Sequence, residues 1–142
     1  MSSKERDKSV SIIILVRHGH TPTTGKILPG RAKGLHLSEL GKEQASKVAT
    51  NLSMLENVKA VYASPMERTL ETAKPIASAF GLKVQRNRGL IEADFGKWTG
   101  RKLSDLRKLS DWEIVQKNPS LFRFPDGESF IEIQSRMVET IT

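Results

Sequence analysis

A chain of 142 residues with 37% apolar and 27% charged residues is long enough for one packed core and has the balance of a globular domain. It contains no cysteine, which excludes a disulfide framework, a thiolate nucleophile and a zinc–thiolate site. Its net charge of +7 suits either a nucleic-acid surface or an enzyme that handles anions, but the basic residues are scattered, and one Tyr and two Trp are too few for base stacking, so the enzyme is favoured.

The start, Met1 to Ser9, is charged and lacks the apolar stretch and cleavage site of a signal peptide. The expectation is a cytoplasmic protein with a short flexible tail at 1–9 and one domain over 10–142. Ile12 to Val16 is a run of five apolar residues, mostly β-branched, which reads as a strand buried on both faces. It is too short to cross a membrane. The run stops at Arg17-His18-Gly19. In open α/β sheets ligands bind at the carboxyl ends of strands. Arg17 offers a planar fork for an oxyanion. His18 can act as a nucleophile. Gly19 lets the backbone turn sharply and approach a ligand. The competing reading is a strand with a chance polar exit.

Pro22 to Leu37 reads as a long loop rich in Thr, Gly and Pro, placed to line the site. Lys26 and Arg31 are candidates for binding substrate charge, with solvated loop charges as the rival reading. His36, between two leucines, reads as a packing or surface residue. Ser38 can cap a helix to about Leu55, with a stripe of Leu40, Ala45, Val48, Leu52 and Leu55 and with Gly41 allowing close packing. Val58 to Ala63 reads as a second strand. Ser64, Pro65 and Glu67 then form a capping box with proline at the first helical position. Arg68 lies one turn in, where free N–H groups already attract anions; its alternative is an exposed helix charge. Pro75 should kink or break this helix before Gly81. Leu82 to Gln85 reads as a short third strand.

Glu92 stands between apolar neighbours in Leu90-Ile91-Glu92-Ala93-Asp94-Phe95-Gly96. A carboxyl so placed can protonate a leaving oxygen; otherwise it is a loop residue without a role. Asp94 is a candidate for holding the loop, and Trp98 for packing. Lys102 to Asn118 reads as short helices. Pro119 to Gly127 reads as a loop able to close over the pocket, with Phe122 and Phe124 either shaping it or packing. The last helix starts near Asp126 to Ser129 and carries Phe130, Ile133, Met137, Val138 and Ile141 on one stripe. No cluster of carboxylates is spaced for a metal, and no cofactor is expected.

Arg17-His18-Gly19-His20-Thr21 resembles the first signature of the histidine phosphatase superfamily, the phosphoglycerate-mutase-like enzymes. Ser64 to Ala73 resembles the second signature, and the stretch around Glu92 the third. The resemblance implies a three-layer α/β/α fold with a mostly parallel sheet. It implies that His18 takes a phosphoryl group, that Arg17 and Arg68 clamp it, and that Glu92 is the proton donor. Thr24 takes the place of an Asn that touches phosphate in the family, and its hydroxyl could donate one hydrogen bond. The implied partner is a small phosphorylated substrate, and hydrolysis of phosphomonoesters is the favoured reaction. A phosphomutase and a catalytically impaired phospholigand-binding remnant are the alternatives. The family domain normally continues with a further central strand ending in a second histidine. The three histidines here are His18, His20 and His36. His20 replaces the family's usual Glu or Gln. The C-terminal part of the domain is therefore expected to be missing, leaving a sheet edge beside Ile12 to Val16 open to self-association.

Overall fold

The computed structural model describes residues 11–142; the tail expected at 1–9 lies outside the described residues. The elements run α1 (Glu39–Leu52), β1 (Val61–Ala63), α2 (Glu67–Ala79), β2 (Val84–Arg86), α3 (Leu103–Leu106), α4 (Ser110–Lys117) and α5 (Phe130–Ile141), with 3-10 turns at Arg88–Leu90, Gly96–Trp98 and Pro119–Leu121. The class is α/β with a parallel sheet, as expected. Among the described residues the sheet has two strands. β1 and β2 pair in parallel, with Val61 opposite Val84 and Ala63 opposite Arg86. α2 is the crossover between them, as parallel pairing requires.

The first expected strand is corrected. Ile12 to Val16 carries no strand assignment, and no ladder joins it to another described residue. Its side chains are exposed, from 40% at Val16 to 85% at Ile12. The β-branched composition reports what those side chains require. It does not guarantee that backbone partners and covering helices are present among these residues.

Two packing centres organise the rest. The first is the α1–α2 pair. Ser38 caps α1 by accepting from Gly41 N at 3.2 Å, and Glu39 suits the positive end of the helix. The buried face of α1 is Gly41, Ala45 and Ala49, so α2 approaches closely with Thr72, Ala73, Ile76 and Ala77. The expected stripe is thereby corrected: Leu40 and Leu55 point outward, and the helix ends at Leu52. α2 also begins later than expected. Its N-cap is Met66, with no side-chain cap, because the Ser64 hydroxyl pairs with Thr69 Oγ1 at 2.7 Å and Glu67 accepts instead from Gly34 N at 2.9 Å. Pro75 leaves the helix continuous from Glu67 to Ala79. The end at Gly81 is as expected; its φ of +65° is a conformation glycine adopts freely.

The second centre is aromatic. Trp98, Leu106, Phe122 and Phe124 are buried together, with Phe95, Trp112 and Phe130 against them. Trp98 and Phe124 meet edge to face, their ring centroids 5.4 Å apart. Phe122 and Phe124 are therefore core residues. The 119–127 loop is fastened locally, Phe124 N donating to Glu128 O and Gly127 N to Phe124 O. Ser129 and Glu132 form a reciprocal capping box that starts α5 at Phe130.

Candidate active site

His18 sits in the segment between the unpaired apolar run and the loop that begins at Pro22. Its Nδ1 lies 2.8 Å from the carbonyl of Gly19. A carbonyl only accepts, so Nδ1 carries the proton and the Nε2 lone pair is left for chemistry. The backbone here is held from two sides. Gly19 N donates to Thr72 Oγ1 at 3.0 Å, and that hydroxyl donates to the Arg68 carbonyl at 2.8 Å. His20 N donates to Gln44 Oε1, Ser38 N donates to the His20 carbonyl, and His20 Nδ1 lies 2.7 Å from Ser38 Oγ.

The 19–20 backbone rests directly on the first turn of α1. A Cβ on Gly41 would lie 2.1 Å from the His20 carbonyl oxygen, and one on Gly19 would lie 2.5 Å from that of Gly41. The close approach anticipated for Gly41 is thus present. Gly19 uses its lack of a side chain against Gly41.

Arg17 and His18 line a cavity of about 240 Å³ with Gly19, Gln44, Ala45, Val48 and Thr72. Arg17 is exposed. Arg68 and Glu92 do not line this cavity; they face each other, with Arg68 Nη2 3.8 Å from Glu92 Oε2. The two halves are joined through α2, since Thr72, which holds Gly19, follows Arg68 by one helical turn on the same face.

Arg68 is the most distinctive side chain of the site. It is 1% exposed, and Nη2 donates to the Gly30 carbonyl at 3.0 Å. Among the described residues Nε and Nη1 are buried without an acceptor. Buried polar groups are nearly always paired. Two N–H groups on one rigid plane have the geometry to hold an oxyanion.

Glu92 accepts at Oε1 from Ala93 N at 2.9 Å and turns Oε2 toward Arg68. Thr24 is committed locally: its hydroxyl accepts from Thr21 N at 2.9 Å and lies 3.0 Å from Thr21 Oγ1. Lys26 is exposed, and its backbone carbonyl accepts from Leu103 N. Arg31 faces the protein. Its Nε donates to the Glu92 carbonyl at 2.8 Å, Nη2 to Glu128 Oε2 at 3.1 Å, and Nη1 lies 3.8 Å from Asp94 Oδ2. Asp94 holds its own loop by accepting from Gly96 N at 3.0 Å.

Several participants were not legible in the sequence. Thr72 and the Gly30 carbonyl are two. Glu128 is a third, readable only as a helix-start residue from its neighbours. Burial alone would raise the Glu128 carboxyl; hydrogen bonds from Arg136 and Asp94 N, with the charges of Arg136 and Arg31, bring it below the ordinary range. The 34–37 loop is fastened to α2 by charge. Glu71 pairs with His36 Nδ1 and accepts from Leu37 N at 2.8 Å. The hydrogen bond and charge of Glu71 hold His36 above its usual value. Among the described residues no group of three His, Asp or Glu side chains is placed to hold a metal ion, and no helix is long and apolar enough to cross a membrane.

Comparison with known proteins gives these groups a context. The family model of the histidine phosphatase superfamily (branch 1) matches residues 13–142. The chain is 35% identical over 130 residues to phosphoserine phosphatase 1 of Hydrogenobacter thermophilus, covering 88% of this chain and 60% of that protein. It is 33% identical over 134 residues to the 2,3-bisphosphoglycerate-dependent phosphoglycerate mutase of Thermoplasma acidophilum, covering 93% of this chain and 65% of that protein. Its fold superposes on the crystal structure of the alpha-ribazole phosphatase from Shigella flexneri with a TM-score of 0.70 and 29% identity, covering 89% of this chain and 63% of that one. The chain thus spans about three-fifths of the length of these relatives. With its fold and most of its length matched, the chain belongs to the histidine phosphatase superfamily, a family whose members include phosphatases and phosphomutases.

Proposed function

We propose that this protein transfers phosphoryl groups through a phosphohistidine on His18, and that its reaction is the hydrolysis of small phosphomonoesters. The observation that carries the reading is the buried Arg68 guanidinium, two of whose donors lack an acceptor among the described residues. A phosphoryl group supplies three equatorial oxygens for such donors, and catalysis of its transfer is largely positioning and charge neutralisation. Nε2 of His18 attacks phosphorus while the bond to the leaving oxygen breaks. Arg17 and Arg68 neutralise the equatorial oxygens. Glu92 gives its proton to the leaving oxygen. Water then attacks the phosphohistidine, passes a proton to Glu92, and releases phosphate and free His18. Thr24 is assigned a phosphate contact, and Lys26 and Arg31 are assigned substrate contacts. Phosphoserine is a suitable first substrate, given the Hydrogenobacter relative.

All three histidines lie at or before residue 36, and His20 is engaged with Ser38. The step to test first is phosphorylation of His18. The test is to incubate the chain with ³²P-phosphoserine and trap acid-labile, alkali-stable phosphate on protein. The parent should label and His18→Ala should not. Equal labelling of His18→Ala would refute the assignment. The mutase reading is favoured by the Thermoplasma relative. It predicts that label passes from a bisphosphate to a phosphoglycerate acceptor and not to water.

A further inference from the structure

Glu92 lies in a segment, 87–94, whose only regular structure is one 3-10 turn at Arg88–Leu90. Such a segment does not fix a side chain by itself. Here the backbone is gripped by side chains from two distant parts of the chain. Arg136, on α5, donates through Nη1 to the carbonyls of Gly89 at 2.7 Å and Ile91 at 2.9 Å. Arg31, from the long loop, donates through Nε to the carbonyl of Glu92 at 2.8 Å. Glu128 ties the two arginines together. Its Oε2 accepts from Arg31 Nη2, Arg136 Nη2 and Asp94 N at 2.9–3.1 Å, and its Oε1 accepts from Arg136 Nε at 3.0 Å. Glu128 N also donates to the Asp94 carbonyl at 2.9 Å.

We propose that Glu128, bridging Arg31 and Arg136, is the positioning residue for Glu92. The inference rests on the reading of Glu92 as proton donor. The bridge does not touch the Glu92 carboxyl. It holds the carbonyls on both sides of that residue and the amide two residues on. The same structure sets the opposite wall, because Arg31 adjoins Gly30, whose carbonyl accepts from Arg68. One carboxylate thereby fixes both sides of the 3.8 Å gap between Arg68 and Glu92. Charge-assisted bonds of this kind are short, directional and about twice as strong as neutral ones. Nearby backbone contacts add rigidity: a Cβ on Gly127 would lie 2.2 Å from the Asp94 carbonyl oxygen.

A positioning role separates from a merely structural one by leaving group. Phosphoserine leaves as an alkoxide that needs a proton, whereas p-nitrophenyl phosphate leaves as a stable anion that does not. Single-turnover release of serine and of p-nitrophenol is measured for the parent chain, Glu128→Gln, Glu92→Gln and the double variant. Well-placed general acids contribute about 10²–10⁴-fold, so Glu128→Gln should slow serine release by roughly ten-fold or more and p-nitrophenol release by less than about three-fold. In the Glu92→Gln background it should add nothing to the serine deficit. Should Glu128→Gln lose cooperative unfolding, Arg31→Lys, which keeps the charge and breaks the fork, must give the same selective loss. Equal slowing of both substrates, or full additivity with Glu92→Gln, overturns the positioning role. Should Glu92→Gln itself show no preference between leaving groups, the proton-donor reading fails instead. A parent chain that releases neither product sinks the phosphotransfer reading and this inference with it.

Discussion

Arg68→Met is the most informative substitution. Methionine keeps most of the stem volume and removes the guanidinium. Among the described residues Arg68 Nε and Nη1 are buried without acceptors. Each such group costs about 1–3 kcal/mol, so the pair costs about 2–6 kcal/mol. Against this, the substitution gives up the Nη2 bond to the Gly30 carbonyl, a charged hydrogen bond of about 1.5–3 kcal/mol. At mid-range the first term exceeds the second by about 2 kcal/mol. Without anion, Arg68→Met should therefore unfold within about 2 kcal/mol of the parent. With anion the two diverge. A ligand at one hundred times its dissociation constant stabilises by about 2.7 kcal/mol. For a domain of this size that raises the parent's Tm by roughly 10 °C. Arg68→Met should show little shift. The assay is thermal unfolding followed by circular dichroism, with and without vanadate or phosphate. The reasoning is refuted by an equal anion-induced shift in both proteins. It is also refuted by an Arg68→Met chain that collapses in plain buffer, since the orphaned donors would then carry no penalty.

Gly41→Ala should destabilise by about 1–3 kcal/mol and weaken vanadate binding together, because its Cβ would sit 2.1 Å from the His20 carbonyl oxygen and drive the His18 segment away from α1; urea unfolding and vanadate titration measure the two effects, and unchanged vanadate affinity would count against the α1 support. His36 should titrate above the ordinary imidazole range by NMR, because Glu71 hydrogen-bonds to it and carries the opposite charge, and Glu71→Gln should bring it down. Because its folded-state value is raised, the His36 contribution to stability is complete below the unfolded value and fades as pH rises through the folded one. An unchanged His36 titration in Glu71→Gln would refute this. The exposed run Ile12–Val16 should make the chain associate with rising concentration, and Ile13→Lys with Leu15→Lys should prevent it; sedimentation velocity showing a monomer for the parent at high concentration would dispose of that expectation.

Much of the site was readable because its parts obey local rules. Ser38 as a cap, Gly41 as a point of close approach and the helix end at Gly81 each follow from one residue's own chemistry. Arg68 was placed at the start of a helix, but its burial was not foreseeable, since burial depends on the Gly30–Arg31 loop folding over it. Ser64, Pro65 and Glu67 form a sound capping pattern that the tertiary contacts of Thr69 and Gly34 override. Ile12 to Val16 failed as a strand for a different reason. A strand is a relation between segments, and its own composition carries only half of that relation. The Arg31–Glu128 bond of the bridge joins residues 97 positions apart, and no spacing rule reaches across such a distance.

The two packing centres have a mechanical consequence. Arg68 belongs to the small-residue interface of α1 and α2, whereas the Glu92 segment is fastened through Glu128 and Arg136 to the side of the molecule built on the aromatic cluster. The guanidinium and the carboxylate thus stand on opposite banks of a seam. The Arg68 bond to the Gly30 carbonyl, the Arg31 bond to the Glu92 carbonyl and the 3.8 Å pair are among the described contacts that cross it. A slide of about 1–2 Å between packed units is a common motion and leaves each core intact. Along this seam it would act as an aperture, widening or narrowing the space between anion grip and proton donor without unwinding any helix.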